Sequence, residues 1–255
     1  MFEIIICIIA GLGAGFGTGF AGMSAAAVIS PLLITFLHMD PYLAVGIALA
    51  SDVLASAASA ITYGKNKNLD IKNGIIMMIS VLCFTMAGSY IASIVPKTTM
   101  GNFSVFMTLL LGVKFIVKPV TEPKQRLLAA TAKQKAIRSV ACGAAVGFIC
   151  GFVGAGGGMM MLLVLTSVLG YELKTAVGTS VFIMSATALT GSVSHFVIGG
   201  MPDIKALVIC VVSTLVFAQI ASLLANKLPA KTLNRITGAI LVVLGIAVLG
   251  VNYLA

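Results

Sequence analysis

The sequence predicts an all-α fold: a polytopic membrane protein of two inverted-topology repeats, with glycine-broken short helices and about 8–10 membrane segments. Three observations carry that expectation. Hydrophobic residues fill 60% of the 255 positions and charged residues only 9%. Apolar runs of membrane-crossing length alternate with short basic stretches. The second half of the chain also repeats the first at a nearly constant offset.

Soluble domains carry roughly a quarter charged residues, so a mean hydropathy of +1.14 places this chain outside their range. The N-terminal "MFEIIICIIAGLGAG" lacks the basic n-region and small-residue cleavage site of a signal peptide and carries Glu3, so it is read as a retained membrane segment. A formal charge of +9 raises the question of nucleic acid. The basic residues, however, lie between apolar runs, at Lys65, Lys67 and Lys72 and again from Lys118 to Arg138, which is the pattern of positive-inside topology. No nucleic-acid partner is expected. The five cysteines (Cys7, Cys83, Cys142, Cys150, Cys210) all fall in apolar segments without a CxxC, and only two histidines are present. They read as small buried hydrophobes, so no disulfide framework, metal site or cofactor is predicted.

Measured against the ~20 residues that cross a bilayer, the apolar runs place segments near 3–21, 24–38, 41–63, 73–95 and 100–117. A second set lies near 138–153, 157–170, 173–198, 204–226 and 236–254. In each set the first two segments are short and meet at glycines. Each pair is either two thin spans or two half-helices that meet inside the membrane and turn back. The organisation is then a first membrane repeat (1–117), a basic linker (118–137) and a second repeat (138–255).

Lys and Arg set the orientation. Loops 64–72 and 227–235 and the linker 118–137 should be cytoplasmic, with 96–99 and 199–203 outside, which leaves both termini external. At an offset of 132, "GFGTGFAG" (15–22) lies on "GFICGFVG" (147–154) and "AVG" (44–46) on "AVG" (176–178); after one inserted residue "DIK" (70–72) lies on "DIK" (203–205). An odd number of crossings per half turns the second copy upside down, as in secondary transporters.

Such transporters hold substrate near the bilayer midplane, at the repeat interface, on interrupted helices whose free N–H groups face anions. The stretch "GFVGAGGGMMML" (151–162) is the natural interruption. Gly154, Gly156, Gly157 and Gly158 would open a helix with an anion-binding nest, since irregular backbone at this depth survives only where it is buried or lines a wet cavity. The alternative is close helix packing, the reading preferred for the GxxxG spacings at Gly15/Gly19 and Gly143/Gly147/Gly151. A formal GxGxxG at Gly17, Gly19 and Gly22 lacks the strand that a nucleotide site needs. In the first half the break reads "GMSAAA" (22–27), where Gly22 is kept and Ser24 brings a hydroxyl.

Asp52 is the acidic residue deep in an apolar segment, where a charge costs ~2.5–3.5 kcal/mol on insertion scales and is a functional candidate by default. Ser56, Ser59 and Tyr63 share its helix face at i+4, i+7 and i+11. The bland alternative is a protonated Asp hydrogen-bonded between helices. The second copy has Met184 in place of Asp52 and offers the hydroxyls of Thr179, Ser180, Thr187 and Ser194. His195 is read as interfacial, packing or proton-handling, and Lys114 as snorkelling to the interface. No convergent set of nucleophile, base and orienting group exists, so no catalytic residues are predicted.

Together, "GFGTGFAGMSAAAVISPLLI", "AVGIALASDVLASAASAITYGKNKNLDIK" and their echoes in the second half resemble the TauE/SafE family of sulfite exporters, over nearly the whole chain. That resemblance implies a multi-pass plasma-membrane protein moving sulfite, sulfonates or other organosulfur anions. It places the family's glycine motif on Gly154, Gly156, Gly157 and Gly158 and its A-V-x-T-S motif on Ala176, Val177, Thr179 and Ser180. The first half departs from both motifs, with Ser24-Ala25-Ala26 and Ile47-Ala48.

The expected function is secondary transport of a small anion by alternating access. The substrate-binding candidates are Gly22, Ser24, Gly154, Gly156, Gly157, Gly158, Thr179 and Ser180, with Asp52 as the coupling candidate. A bound anion beside Asp52 would draw in H+ as the coupling ion, whereas export down the membrane potential would need none. The lipid bilayer is the expected partner, and a homo-oligomer stays open. A passive channel and a scaffold or sensor are the alternatives.

Overall fold

The structure, a computed structural model, describes residues 1–92, 109–110, 113–119, 131–153 and 157–254. Among the described residues every regular element is helical. In chain order these are α1 (Phe2–Ala21), α2 (Ala26–Leu37), α3 (Pro41–Lys65), α4 (Ile71–Ala92), α5 (Ala132–Val153) and α6 (Gly157–Leu163). The last of these runs on as a π-helical turn, Val164–Leu169, before α7 (Leu173–Gly199), α8 (Ile204–Lys227) and α9 (Ala230–Leu254). Most of the predicted segment 100–117 lies outside the described residues; 113–117 is helical.

The repeated "DIK" has a local cause. Asp203 caps α8 by accepting from Lys205 N (2.8 Å) and Ala206 N (3.2 Å), and Asp70 accepts from Asn73 N (3.1 Å) at the start of α4. A side-chain oxygen there satisfies amides that have no partner within the helix. Asp40 does the same for α3, with Pro41 at the first helical position. The second helix of each half also ends alike. His38 and Gly170 are both left-handed, and the next amide bonds back, Met39 to Leu33 O (3.3 Å) and Tyr171 to Leu165 O (2.9 Å).

Helix α5 starts six residues earlier than the apolar run suggested, at Ala132 rather than 138. Its first turn is held by a reciprocal cap, Thr131 Oγ1 accepting from Gln134 N (3.3 Å) and Gln134 Oε1 from Thr131 N (3.1 Å).

Polarity is distributed as lipid solvent demands. Val208, Val212, Val216 and Ile220 form an exposed stripe on α8, while Ser213, Thr214, Ala218, Ala221 and Ser222 face inward. Small residues inside let backbones approach closely where no hydrophobic effect drives helices together. Among the described residues five helices, α1, α3, α7, α8 and α9, are long and apolar enough to cross a membrane. At ~1.5 Å per residue, α2 spans only ~18 Å and cannot cross a ~30 Å core alone.

The helices pair across the halves: α1 runs along α8, α5 along α4, and α3 along α7. The glycine spacings mark these seams. A Cβ on Gly15 would sit 2.7 Å from Phe217 Cβ and one on Gly19 2.5 Å from Ala221 Cβ. On the other seam a Cβ on Gly143 would lie 2.8 Å from Met77 O, and Gly147 abuts the Val81 backbone. The "AVG" copies mark the third seam: Gly46 of α3 meets Phe196 and His195 of α7, and Gly178 of α7 meets Tyr63 and Asn68.

Candidate functional site

Helix α1 stops deep inside the molecule. Gly22 takes a left-handed conformation (φ 60°), its amide closing on Thr18 O, and every residue from Gly17 to Ala26 is buried. The last carbonyls of a helix have no partner within it, and in lipid a bare one costs several kcal/mol. Here hydroxyls from elsewhere reach them. Tyr63 OH donates to Gly19 O (2.8 Å), Thr237 Oγ1 to Phe20 O (3.1 Å), Ser180 Oγ to Gly22 O (2.8 Å) and Thr18 Oγ1 to Met23 O (3.0 Å). Side chains of α3, α7 and α9 therefore fasten one break.

Across that break α2 begins, and its first donors are also engaged. Asp52 Oδ2 accepts from the Ala25 amide at 3.2 Å, and Asp52 Oδ1 from Ser56 Oγ at 2.6 Å. The Ser24 hydroxyl, in the same break, accepts from Ala26 N at 3.3 Å. Asp52, Ser56, Ser59 and Tyr63 are each 0% exposed, so the α3 face they share looks inward. The groups holding Asp52 are a hydroxyl and an amide, neither of them basic.

Gly22, Ser24, Asp52 and Ser180 thus meet at one place. Thr179 points elsewhere: its Oγ1 accepts from Asp70 N (3.2 Å) at the start of α4. Gly157 and Gly158 form the first turn of α6, while Gly154 and Gly156 lie outside the described residues. In the second half α7 presents Met184 and Ala188 where α3 has Asp52 and Ser56, both buried. Sequence reasoning placed Tyr63 on the Asp52 face without its role, and missed Thr18 and Thr237; hydroxyls inside apolar runs were the available signal.

A second polar cluster lies at the end bearing the basic 64–72 loop. Asp70 Oδ2 accepts from Tyr171 OH (2.7 Å) and from Asn73 Nδ2 (2.7 Å). Burial and the neighbouring carboxylate push the Tyr171 phenol well above its ordinary range, so it stays the donor. Asn226 receives Asn68 Nδ2 (2.7 Å) on its side chain and Lys174 Nζ (3.0 Å) on its carbonyl. Far from that cluster, His195 Nδ1 pairs with Tyr42 O at 3.0 Å and its ring lies 4.1 Å from that of Tyr42. Lys114 is held by Ser167 in the π-helical turn.

A helical bundle with lipid-facing valines outside and a hydroxyl-braced helix break inside is a polytopic membrane protein. The sulfite exporter TauE/SafE family model matches residues 7–248, and the chain belongs to that family of membrane transporters. Its relatives include the probable membrane transporter protein YunE of Bacillus subtilis, 27% identical over 95% of this chain and 96% of YunE. The probable membrane transporter protein MJ0441 of Methanocaldococcus jannaschii is 24% identical over 96% of this chain and 94% of MJ0441. YdhB of B. subtilis, also a probable membrane transporter protein, is 24% identical over 85% of this chain. These relatives are named as transporters, and none as an enzyme.

Proposed function

We propose that the chain is a secondary transporter of small oxyanions, sulfite or an organosulfonate, that works by alternating access between two inverted repeats, 1–117 and 138–255, joined by a cytoplasmic linker. The observation that carries this reading is the fastened break between α1 and α2, a helix interruption buried from end to end, whose counterpart in the second half opens the short helix α6. Ordering a helix interruption at that depth is how transporters present amides to anions. The exchange of partners between halves, α1 on α8 and α5 on α4, supports the repeat reading.

Substrate is held in this proposal by amides of the second break, at Gly154, Gly156, Gly157 and Gly158, where no α7 carboxylate competes. Gly22, Ser24, Thr179 and Ser180 form the walls. The Gly22 carbonyl and the hydroxyls of Ser24, Thr179 and Ser180 all have protein partners already, so the attraction comes from backbone dipoles. An inside-negative potential of ~100 mV favours outward movement of one negative charge by ~2.3 kcal/mol. Uptake would need a coupling ion, and Asp52 is the group able to carry H+.

Counterflow of labelled sulfite into proteoliposomes preloaded with sulfite, sulfate, taurine or sulfoacetate tests the reading. Saturable exchange is expected, with the competition order naming the substrate; linear, unsaturable flux would make the protein a channel. Gly157→Leu should abolish exchange in folded protein. Asp52→Asn should uncouple proton movement from the anion if the carboxyl carries it.

A further inference from the structure

We propose that Asp52 is a built-in anion that fills the first break, so that this half of the protein takes up no free one. The Ala25 amide, at the N-cap of the 12-residue helix α2, donates to its carboxyl at 3.2 Å, Ser56 donates at 2.6 Å, and Ser24 takes the next amide, Ala26 N, at 3.3 Å. Free amides at a helix start carry partial positive charge and take phosphate, sulfate or carboxylate wherever one reaches them. Asp52 reaches one of them, that of Ala25, from α3, 27 residues away in sequence. Its own exposure is 0%, and its hydrogen-bonding partners hold no basic side chain. A buried carboxylate survives in such a place only through hydrogen bonds donated to it.

The second half lacks the device. Met184 and Ala188, 7% and 1% exposed, stand on α7 where Asp52 and Ser56 stand on α3, and neither side chain is an anionic acceptor. The two breaks are thereby unequal: one brings its anion with the chain, and the other has none supplied from the matching helix. If the protein transports anions as proposed, the first break is not where the free anion binds. The filling of the first break does not itself depend on what is transported.

The test removes the carboxyl and offers a free one. Asp52→Gly leaves a space beside the Ala25 amide, Ser24 and Ser56 of the size of formate, which crosses lipid as the neutral acid. The melting temperature of the purified variant should rise by about 3–6 °C when formate is present at about ten times its Kd. Formamide, the uncharged isostere, should give no such rise. Wild type and Asp52→Asn, whose break stays filled, should not respond to formate. Equal responses to formate and formamide, or an equal response in wild type, would overturn the proposal. If Asp52→Gly does not survive purification, its yield in membranes of cells grown with formate is compared with formamide: recovery by formate alone supports the proposal, and recovery by neither or by both refutes it. Because no transported substrate enters these measurements, a negative counterflow result leaves them intact.

Discussion

The hydroxyl of Ser180 donates to the carbonyl of Gly22 at 2.8 Å, tying α7 of the second half to the break in the first, 158 residues earlier. Ser180→Ala removes the donor and leaves a buried carbonyl bare. The expected loss is about 1–3 kcal/mol, read as a lower melting temperature in detergent. Ser180→Thr keeps a hydroxyl and should recover most of it.

Gly22 faces the same contact from the other side. A methyl group there would stand 3.0 Å from Ser180 Cβ on a backbone with φ of 60°. The left-handed region alone costs a non-glycine residue about 1–2 kcal/mol. Gly22→Ala should therefore destabilise by at least that much, and pairing it with Ser180→Ala should not add in full, since the two side chains meet.

The two "AVG" glycines should differ in tolerance. A Cβ on Gly46 meets the Phe196 ring edge at 2.7 Å, and a phenyl ring can swing. On Gly178 it would strike the backbone carbonyl of Asn68 and lie 2.8 Å from Tyr63 Cβ, neither of which can turn aside. Gly178→Ala is expected to cut folded yield and melting temperature more than Gly46→Ala, by thermal shift on both proteins.

Tyr171→Phe should cost about 1.5–3 kcal/mol, the range for a hydrogen bond to a charged acceptor. The sign of its pH dependence follows from the phenol being raised above its ordinary value of 10.0. Stability from a raised group is fully present below the unfolded value and is lost only as pH climbs through the folded one. The melting difference between Tyr171→Phe and wild type should thus stay constant from pH 6 to pH 9, a range that lies wholly below 10.0.

Helix positions were legible from apolar runs because lipid leaves the backbone no alternative to helix. Even the short second helix of each half and the repeated "DIK" stood out, and the latter proved to be two caps, at Asp70 and Asp203. The start of α5 was missed because hydropathy fades at Lys133 and Lys135. The T-A-K-Q pattern of Thr131–Gln134 carries the cap instead. At the site, Asp52 announced itself as a charge in an apolar run. Its partner did not: the Ala25 amide caps another helix, and backbone donors leave no trace in side-chain identity. The same holds for Thr237 and Tyr63, whose hydroxyls serve carbonyls 217 and 44 residues away.

The seam between α1 and α8 also bears on how the protein is made. Gly15 lies against Phe217 and Ala218, and Gly19 against Ala221, so α1 waits for a helix made roughly 200 residues later. At about 5–20 residues per second, the roughly 200 intervening residues take about 10–40 s to synthesise. Throughout that interval the notched face of α1 is without its mate and must be shielded by the insertion machinery or by lipid. Biogenesis is thereby back-loaded: a chain truncated before α8 strands α1, which makes early termination products natural targets for membrane proteolysis.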